Sequence, residues 1–227
     1  MANRQIKHSK LVVLGTANFG LKKYGINKNK ITNKNKNKIL NYALNKNILY
    51  FDTAYSYNSE KFLNLKKIKI FTKLKPINEN IKFKDKNSLE KFIKDSINNS
   101  LKELKTESIY CLMLHRVEDI SVNNHDVIAI LNKYKKKGLI QNIGVSINLY
   151  KNISIIAKNK LINYIQLPIN LYDQRWKIFF SPNLKSFSKN KKFIARSIFL
   201  QGLFNKNYWP KKIRNQKKLT NHLNSKL

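Results

Sequence analysis

The sequence LEKFIKDSINNSLKELKTESIYCLML, residues 89–114, contains a helical pattern followed by a strand pattern. Its apolar residues first recur at spacings of three and four, which predicts a helix with one buried face. The residues of that face are Leu89, Phe92, Ile93, Ile97, Leu101 and Leu104. Ser88 is the expected N-cap of the helix. The apolar run Ile109–Leu114 then predicts a strand that is buried on both faces.

The same alternation of short apolar strands and amphipathic helices extends along the chain in both directions. Seven strands are predicted, at residues 11–14, 48–51, 68–74, 109–114, 140–147, 164–169 and 193–198. Gly138 is the expected stop of the helical pattern that follows the fourth strand. An alternation of this kind is typical of βα units around a parallel sheet.

A closed barrel of βα units has eight strands and typically about 250 residues. This chain has 227 residues, and no linker rich in Pro, Gly or Ser divides it. We therefore expect an α/β fold of the TIM type, a (β/α) barrel with about seven of the eight strands. It is expected to form a single domain over residues 1–227, in which residues 205–227 are a basic C-terminal tail or helix. The eighth strand and its helix are expected to be absent.

The chain is strongly basic, with 46 Lys and Arg residues against 12 Asp and Glu residues and a net charge of +34. A charge of this size suits nucleic acid or another anionic surface. However, Lys and Asn are in excess throughout, as in the low-complexity runs 27–30 and 33–38, and no basic cluster alternates with aromatic residues. We therefore favour compositional drift over a nucleic-acid-binding groove.

Three further features limit the functional classes. Cys111 is the single cysteine, which excludes an intramolecular disulfide, fits a reducing compartment and predicts a buried, unreactive thiol. No apolar run approaches the ~20 residues of a membrane helix, and no signal-peptide pattern follows Met1. The His and Cys residues lack the spacing of a zinc site. We therefore expect a cytoplasmic protein that uses neither a membrane nor a metal.

Polar residues stand at the carboxyl ends of three consecutive predicted strands, where parallel barrels place their active groups. Asp52 and Tyr57 follow the second strand, Lys73 lies near the end of the third, and His115 follows the fourth. Such a set suits the reduction of a carbonyl group, because a phenol can protonate the oxygen and a nearby ammonium can lower the pKa of that phenol. Asp52 would hold Lys73, and His115 would orient the carbonyl. Tyr55 competes with Tyr57 for the role of the phenol. The spacing between Asp52 and Tyr57 favours Tyr57.

These segments resemble the aldo/keto reductase family. The segment DTAYSYNSE (52–60) resembles the signature around the family's catalytic tyrosine, FTK (71–73) its lysine strand and LH (114–115) its histidine strand. The resemblance is collinear from about residue 11 to residue 204. It implies four catalytic residues, which are Asp52, Tyr57, Lys73 and His115.

The resemblance also implies a nicotinamide cofactor, NADP or NAD, with NADPH favoured. Ser146 and Gln166 stand where family members contact the nicotinamide amide, and residues 195–203 resemble the loop along the cofactor pyrophosphate. The implied cofactor-binding residues are Gly15, Thr16, Asp52, Ser146, Gln166, Ser197, Gln201 and Gly202.

The chain departs from the family pattern at three places. Ile147 stands where an Asn is usual, and Arg196 stands where an aromatic residue often stacks on the nicotinamide. The segment that usually supplies the eighth strand and groups for the adenosine end of the cofactor is not found.

The implied function is the NAD(P)H-dependent reduction of an aldehyde or ketone to an alcohol, with Tyr57 as the general acid. Two alternatives stay open at this point. One is a truncated relative with impaired catalysis, and the other, less favoured, is a basic nucleic-acid-binding protein on the same fold. The sequence does not specify which carbonyl compound would be the substrate.

Overall fold

Seven strands form one parallel sheet in this computed structural model, which describes residues 12–25, 30–77, 81, 83–122, 124–148, 153, 156, 159–170, 173, 175–176 and 190–202. The strands are β1 (Val13–Gly15), β2 (Tyr50–Asp52), β3 (Lys69–Lys73), β4 (Ile109–Leu114), β5 (Ile140–Ser146), β6 (Ile162–Pro168) and β7 (Lys192–Arg196). Their order in the sheet is their order in the chain, and all neighbouring pairs are parallel. The predicted α/β architecture is confirmed.

Helices connect several of these strands. They are α1 (Ala17–Gly20), α2 (Asn33–Asn45), α3 (Lys86–Leu104) and α4 (Val127–Lys136), and single 3-10 turns lie at Tyr55–Tyr57, Glu60–Phe62, Val117–Ile120 and Leu200–Gly202. A two-stranded antiparallel ribbon pairs Ser121–Val122 with His125–Asp126. The predicted tail 205–227 lies outside the described residues.

The sheet is strongly curled. Gln166 of β6 donates a hydrogen bond of 2.8 Å to Asp52 of β2, although the two strands are four positions apart in the sheet. Since neighbouring strands lie about 4.8 Å apart, a flat sheet would separate them by about 19 Å. The sheet therefore bends into a half-barrel with a concave inner face. Among the described residues β1 and β7 are not paired, so the barrel is open between them.

Two apolar clusters cover the two faces of the sheet, because successive side chains of a strand point to opposite sides. The larger cluster lies between the sheet and the helices and includes Leu112 and Leu114 of β4 with Ile93 and Ile97 of α3. The smaller cluster fills the concave face with Phe71, Cys111, Met113, Tyr164 and Ile194. The Cys111 thiol is buried as predicted, and burial raises its pKa well above the ordinary value.

Close packing on the concave face explains why residue 144 is a glycine. A Cβ atom at Gly144 of β5 would lie 2.9 Å from the Met113 side chain and 3.0 Å from the Tyr164 carbonyl oxygen. Contacts of this length leave no room for a side chain, so Gly144 allows β4, β5 and β6 to pack around the curl.

One helix N-cap differs from the sequence prediction, and one lysine of a low-complexity run is buried. The N-cap of α3 is Asp85, whose carboxylate accepts a hydrogen bond from the Ser88 backbone, while the Ser88 hydroxyl completes a capping box. The prediction of Ser88 as the N-cap was therefore wrong, and Ser88 is instead the partner of Asp85 in the capping box. In α2, Lys36 of the low-complexity run is buried, with its ammonium 3.7 Å from the centre of the Phe62 ring. The apolar stem of Lys lets it cover part of the core.

Candidate active site

A cleft of about 800 Å³ opens at the carboxyl ends of the strands and extends to the open side between β1 and β7. This volume lies in the range usual for small-molecule sites. All of the predicted site residues except Thr16 and Lys73 line it; they are Gly15, Asp52, Tyr57, His115, Ser146, Gln166, Ser197, Gln201 and Gly202. The structure therefore brings residues from distant parts of the chain to one cavity.

Asp52 and Lys73 form an ion pair at the base of the cleft. The Lys73 ammonium donates hydrogen bonds to Asp52 Oδ1 at 2.7 Å and to the Thr53 carbonyl oxygen at 2.9 Å. The Lys73 side chain is 2% exposed and that of Asp52 is 17% exposed, so the carboxylate lies between the ammonium and the cleft. A buried ammonium without such a partner would be destabilising by several kcal/mol.

Thr16 lies below the cleft and supports Asp52. Its hydroxyl donates to the Asp52 carbonyl oxygen at 2.9 Å, and its amide donates to the same oxygen at 2.9 Å. Thr16 is fully buried and does not line the cleft. These contacts position the end of β2, and a contact of Thr16 with a cofactor stays a prediction.

The loop that carries Tyr57 is held by buried hydroxyl groups. Thr53 and Ser59 hydroxyls lie 2.7 Å apart, and the Thr72 hydroxyl donates to the Glu60 carboxylate at 2.6 Å. A Cβ atom at Gly20 would lie 1.9 Å from the Tyr57 carbonyl oxygen, so α1 can pack on this loop only because residue 20 is glycine. These contacts fix the backbone on both sides of Tyr57.

Tyr57 projects between Lys73 and His115. The Lys73 ammonium is 5.3 Å from the centre of the Tyr57 ring, and the ring centres of Tyr57 and His115 are 5.8 Å apart in an edge-to-face arrangement. Tyr55 lines a separate cavity of about 360 Å³, with Lys75 5.7 Å from its ring centre. Of the two candidate phenols, Tyr57 is the one in the cleft with His115.

The electrostatics of Tyr57 differ from the expectation that an ammonium lowers its pKa. Burial, and next the Asp52 carboxylate, raise the pKa of Tyr57 to about 12, while the Arg196 guanidinium lowers it in part. At Tyr57 the charge of Asp52 therefore outweighs that of the Lys73 ammonium that it holds. In the protein without ligand, Tyr57 is therefore a fully protonated phenol at neutral pH.

His115 is a neutral imidazole. Burial, and next the positive charge of Lys73, lower the pKa of His115 to about 4. Its Nδ1 atom is buried and has no hydrogen-bond partner among the described residues. One ring nitrogen of a neutral imidazole donates and the other accepts, so His115 can donate to an oxygen atom in the cleft.

Ser146 and Gln166 lie side by side where β5 and β6 end, since the two residues are paired in register. The Gln166 amide nitrogen donates to Asp52, which leaves its Oε1 atom buried without a hydrogen-bond partner among the described residues. A buried acceptor of this kind is costly unless a ligand satisfies it. Gln166 Oε1 is therefore a fixed acceptor site in the cleft wall.

The segment after β7 closes one side of the cleft with a strained backbone. Ser197, Leu200 and Gln201 all adopt positive φ angles, of 58°, 46° and 55°. Gly25 packs against this segment, because a Cβ atom there would lie 2.4 Å from the Gln201 carbonyl oxygen. Clustered left-handed residues other than Gly are typical of ligand-binding loops.

The cleft also contains residues that the sequence did not indicate. Asn18 lines it from α1, and Lys22 and Tyr24 line it from the segment after α1. Burial, and next Tyr57, raise the pKa of Tyr24. No motif or periodicity marks these residues, because they lie within or just after a helix of only four residues.

The described residues hold no group of three His, Cys, Asp or Glu side chains that could bind a metal ion. Likewise, none of the helices in that part of the chain combines the length and apolarity needed to cross a membrane.

The sequence matches the family model described as Aldo/keto reductase family over residues 11–226. No curated protein matches the chain at a significant level.

Two solved structures illustrate the shared fold. The holo form of aldo-keto reductase AKR11C1 from Bacillus halodurans has a TM-score of 0.68 and 21% sequence identity, over 88% of this chain and 66% of that one. The glycerol dehydrogenase AKR11B4 from Gluconobacter oxydans has a TM-score of 0.65 and 21% identity, over 93% of this chain and 70% of that one. This chain thus spans about two thirds of the length of these structures, which show the fold alone.

The ion pair predicts an asymmetric response to mutation. Asp52→Asn leaves the Lys73 ammonium buried beside a neutral amide and should lower the free energy of unfolding by about 3 kcal/mol. Adding Lys73→Met should recover part of that loss, since no buried charge then remains. Urea unfolding of both variants measures the effect, with Lys133→Met as the control for the exposed pair between Lys133 and Glu90. The control should lose less than about 1 kcal/mol of unfolding free energy, as is usual for exposed pairs. A loss no larger than this in Asp52→Asn would contradict the burial of the Asp52–Lys73 pair.

The low pKa of His115 predicts that its imidazole does not titrate between pH 8 and pH 5. Its nuclear magnetic resonance shifts, assigned by comparison with His115→Gln, should remain those of the neutral ring throughout this range. An unperturbed histidine titrates near pH 6.5. A midpoint of His115 near that value would mean that the side chain is solvated rather than buried beside Lys73.

Proposed function

The chain belongs to the aldo/keto reductase family, and we propose that it is an NAD(P)H-dependent reductase that converts an aldehyde or ketone to an alcohol. The observation that carries this proposal is the cluster of Tyr57, His115 and the Asp52–Lys73 pair at the cleft. The Lys73 ammonium lies 5.3 Å from the centre of the Tyr57 ring, and the ring centre of His115 lies 5.8 Å from it. We further propose one domain over residues 1–227 and a location in the cytoplasm, which fits the single buried thiol.

The cleft fits a nicotinamide at the end of β5 and β6. A carboxamide has both donor and acceptor atoms, and Gln166 Oε1 is a buried acceptor without a partner among the described residues. Asp52 fixes the orientation of Gln166 by accepting from its amide nitrogen, and the buried Ser146 hydroxyl stands next to it in the sheet. When bound there, the reduced cofactor would supply the hydride that no side chain can donate. NADPH is favoured over NADH by family resemblance.

Tyr57 would supply the proton. Because the pKa of Tyr57 is raised to about 12, the phenol keeps its proton until negative charge develops on the carbonyl oxygen. The buried Lys73 ammonium, held by Asp52 and the Thr53 carbonyl, then stabilises the phenolate that remains. The pair is preorganised, so no charge has to move into the site during the reaction.

His115 would orient the substrate. Since the pKa of His115 is lowered to about 4, the ring is neutral at physiological pH and donates one hydrogen bond without carrying a charge. A neutral donor beside the phenol holds the carbonyl oxygen in place for the proton transfer. It also leaves Tyr57 as the only proton donor of the four residues, because Lys73 is engaged by Asp52 and Thr53.

The proposal predicts that removing the hydroxyl group of Tyr57 abolishes most of the activity, while removing that of Tyr55 does not. Tyr57→Phe should reduce kcat for NADPH-dependent reduction of an aldehyde panel by at least about 100-fold, because the general acid is lost. It should leave the affinity for NADPH, measured by fluorescence, nearly unchanged. Tyr55→Phe is the matched control and should retain activity, since Tyr55 lines the other cavity. Equal losses in both variants, or none in Tyr57→Phe, would reject Tyr57 as the acid.

A further inference from the structure

Arg196 brings a positive charge to the wall of the cleft. It is the last residue of β7, and its guanidinium Nη2 donates to the Ile147 carbonyl oxygen at 3.2 Å and to the Asn148 side chain. Ile147 follows Ser146 directly, so these bonds hold the guanidinium close to the end of β5. Arg196 therefore lies beside the place where Ser146 and Gln166 form the cleft wall.

The charge of Arg196 has no counterion among the described residues. No carboxylate of those residues lies within ion-pair distance of its guanidinium, and Asp52 is already engaged by Lys73 and Gln166. The side chain is partly buried, and its charge acts on Tyr57 and Tyr24 by lowering the pKa of each phenol. A guanidinium keeps its proton at all physiological pH values.

We propose that Arg196 makes the cleft select the reduced form of the nicotinamide cofactor over the oxidised form. The inference rests on the proposed function, which puts the carboxamide at Ser146 and Gln166. The two forms have nearly the same size and the same hydrogen-bonding groups, but only the oxidised ring carries a positive charge. A fixed guanidinium nearby therefore repels one form and not the other. At the effective dielectric constant of about 20 that applies near a protein surface, the repulsion between two like charges is expected to give at least about tenfold discrimination.

Selection of this kind would affect product release. The oxidised cofactor leaves more readily than the reduced cofactor, so inhibition by the oxidised product is weak. A tenfold preference for the reduced form corresponds to a rise of about 30 mV in the potential of the bound two-electron couple.

A purely structural role of Arg196 would give a different result. Its hydrogen bonds join the end of β7 to the segment after β5, and losing them would weaken the binding of both cofactor forms alike. The ratio of the two dissociation constants removes such a common effect. That ratio therefore reports the charge of Arg196 and not its anchoring bonds.

The test is a calorimetric titration of wild-type protein and four variants with NADPH and with NADP⁺. Wild-type protein should bind NADPH roughly tenfold more tightly than NADP⁺. Arg196→Gln and Arg196→Met should bring the ratio close to one, and Arg196→Lys, which keeps the charge, should preserve it. Lys192→Gln removes one charge at the other end of the same strand, where Lys192 contacts Tyr164, and should also preserve the ratio.

The outcomes separate the two proposals. An unchanged ratio in the neutral Arg196 variants, or an equal change in Lys192→Gln, would overturn the selection by Arg196 and leave the reductase proposal intact. Failure of wild-type protein to bind either form would overturn both. Two neutral variants, Arg196→Gln and Arg196→Met, are used because the test needs only one of them to fold. Thermal unfolding shows which variant is folded.

Discussion

The buried ion pair between Lys73 and Asp52 is the interaction on which the site depends. An ammonium that is 2% exposed needs a negative partner, and Asp52 Oδ1 at 2.7 Å supplies it. The same oxygen accepts from Gln166, which belongs to a strand four positions away. One carboxylate thus satisfies a buried charge and joins two distant strands of the concave face. The curl of the sheet and the geometry of the cleft are therefore stabilised by the same group.

The charges of the cleft follow from this pair. Burial is the largest influence on both neighbours of the pair, the Asp52 charge adds to it at Tyr57 and the Lys73 charge adds to it at His115, so Tyr57 remains protonated and His115 remains neutral. Arg196 lies in the cleft wall near Tyr57 and carries a positive charge. Its guanidinium has no carboxylate partner among the described residues. The cleft combines two neutral hydrogen-bond donors, Tyr57 and His115, with the positive charge of Arg196 to the side. Such a preorganised arrangement suits a reaction in which negative charge develops on oxygen.

Much of the fold could be predicted, because each strand and helix carries its own apolar period. The order of the motifs also predicted which residues reach the carboxyl ends of β2, β3 and β4, and Lys73 could be recognised at the end of an apolar strand despite the abundance of lysine. What the sequence could not reveal depends on contacts between distant segments. Gly20 matters only because the Tyr57 loop lies against α1, and Tyr24 reaches the cleft without any periodic signal.

Local rules failed where tertiary contacts compete with them. Ser88 is a good capping residue, but Asp85 precedes it and both join one capping box. Lys36 belongs to a low-complexity run, and the ring of Phe62 nevertheless covers its ammonium. The expected lowering of the Tyr57 pKa by Lys73 neglected burial and the Asp52 charge, which act in the opposite direction.

The most direct test of the account is a calorimetric titration of the purified chain with NADPH, alongside Gln166→Ala. The account predicts saturable binding of one NADPH per chain, weakened at least about tenfold in the variant, because the buried Oε1 acceptor and its link to Asp52 are lost. No saturable binding, or equal binding by both proteins, would contradict the claim that the cleft beside the Asp52–Lys73 pair is a nicotinamide site.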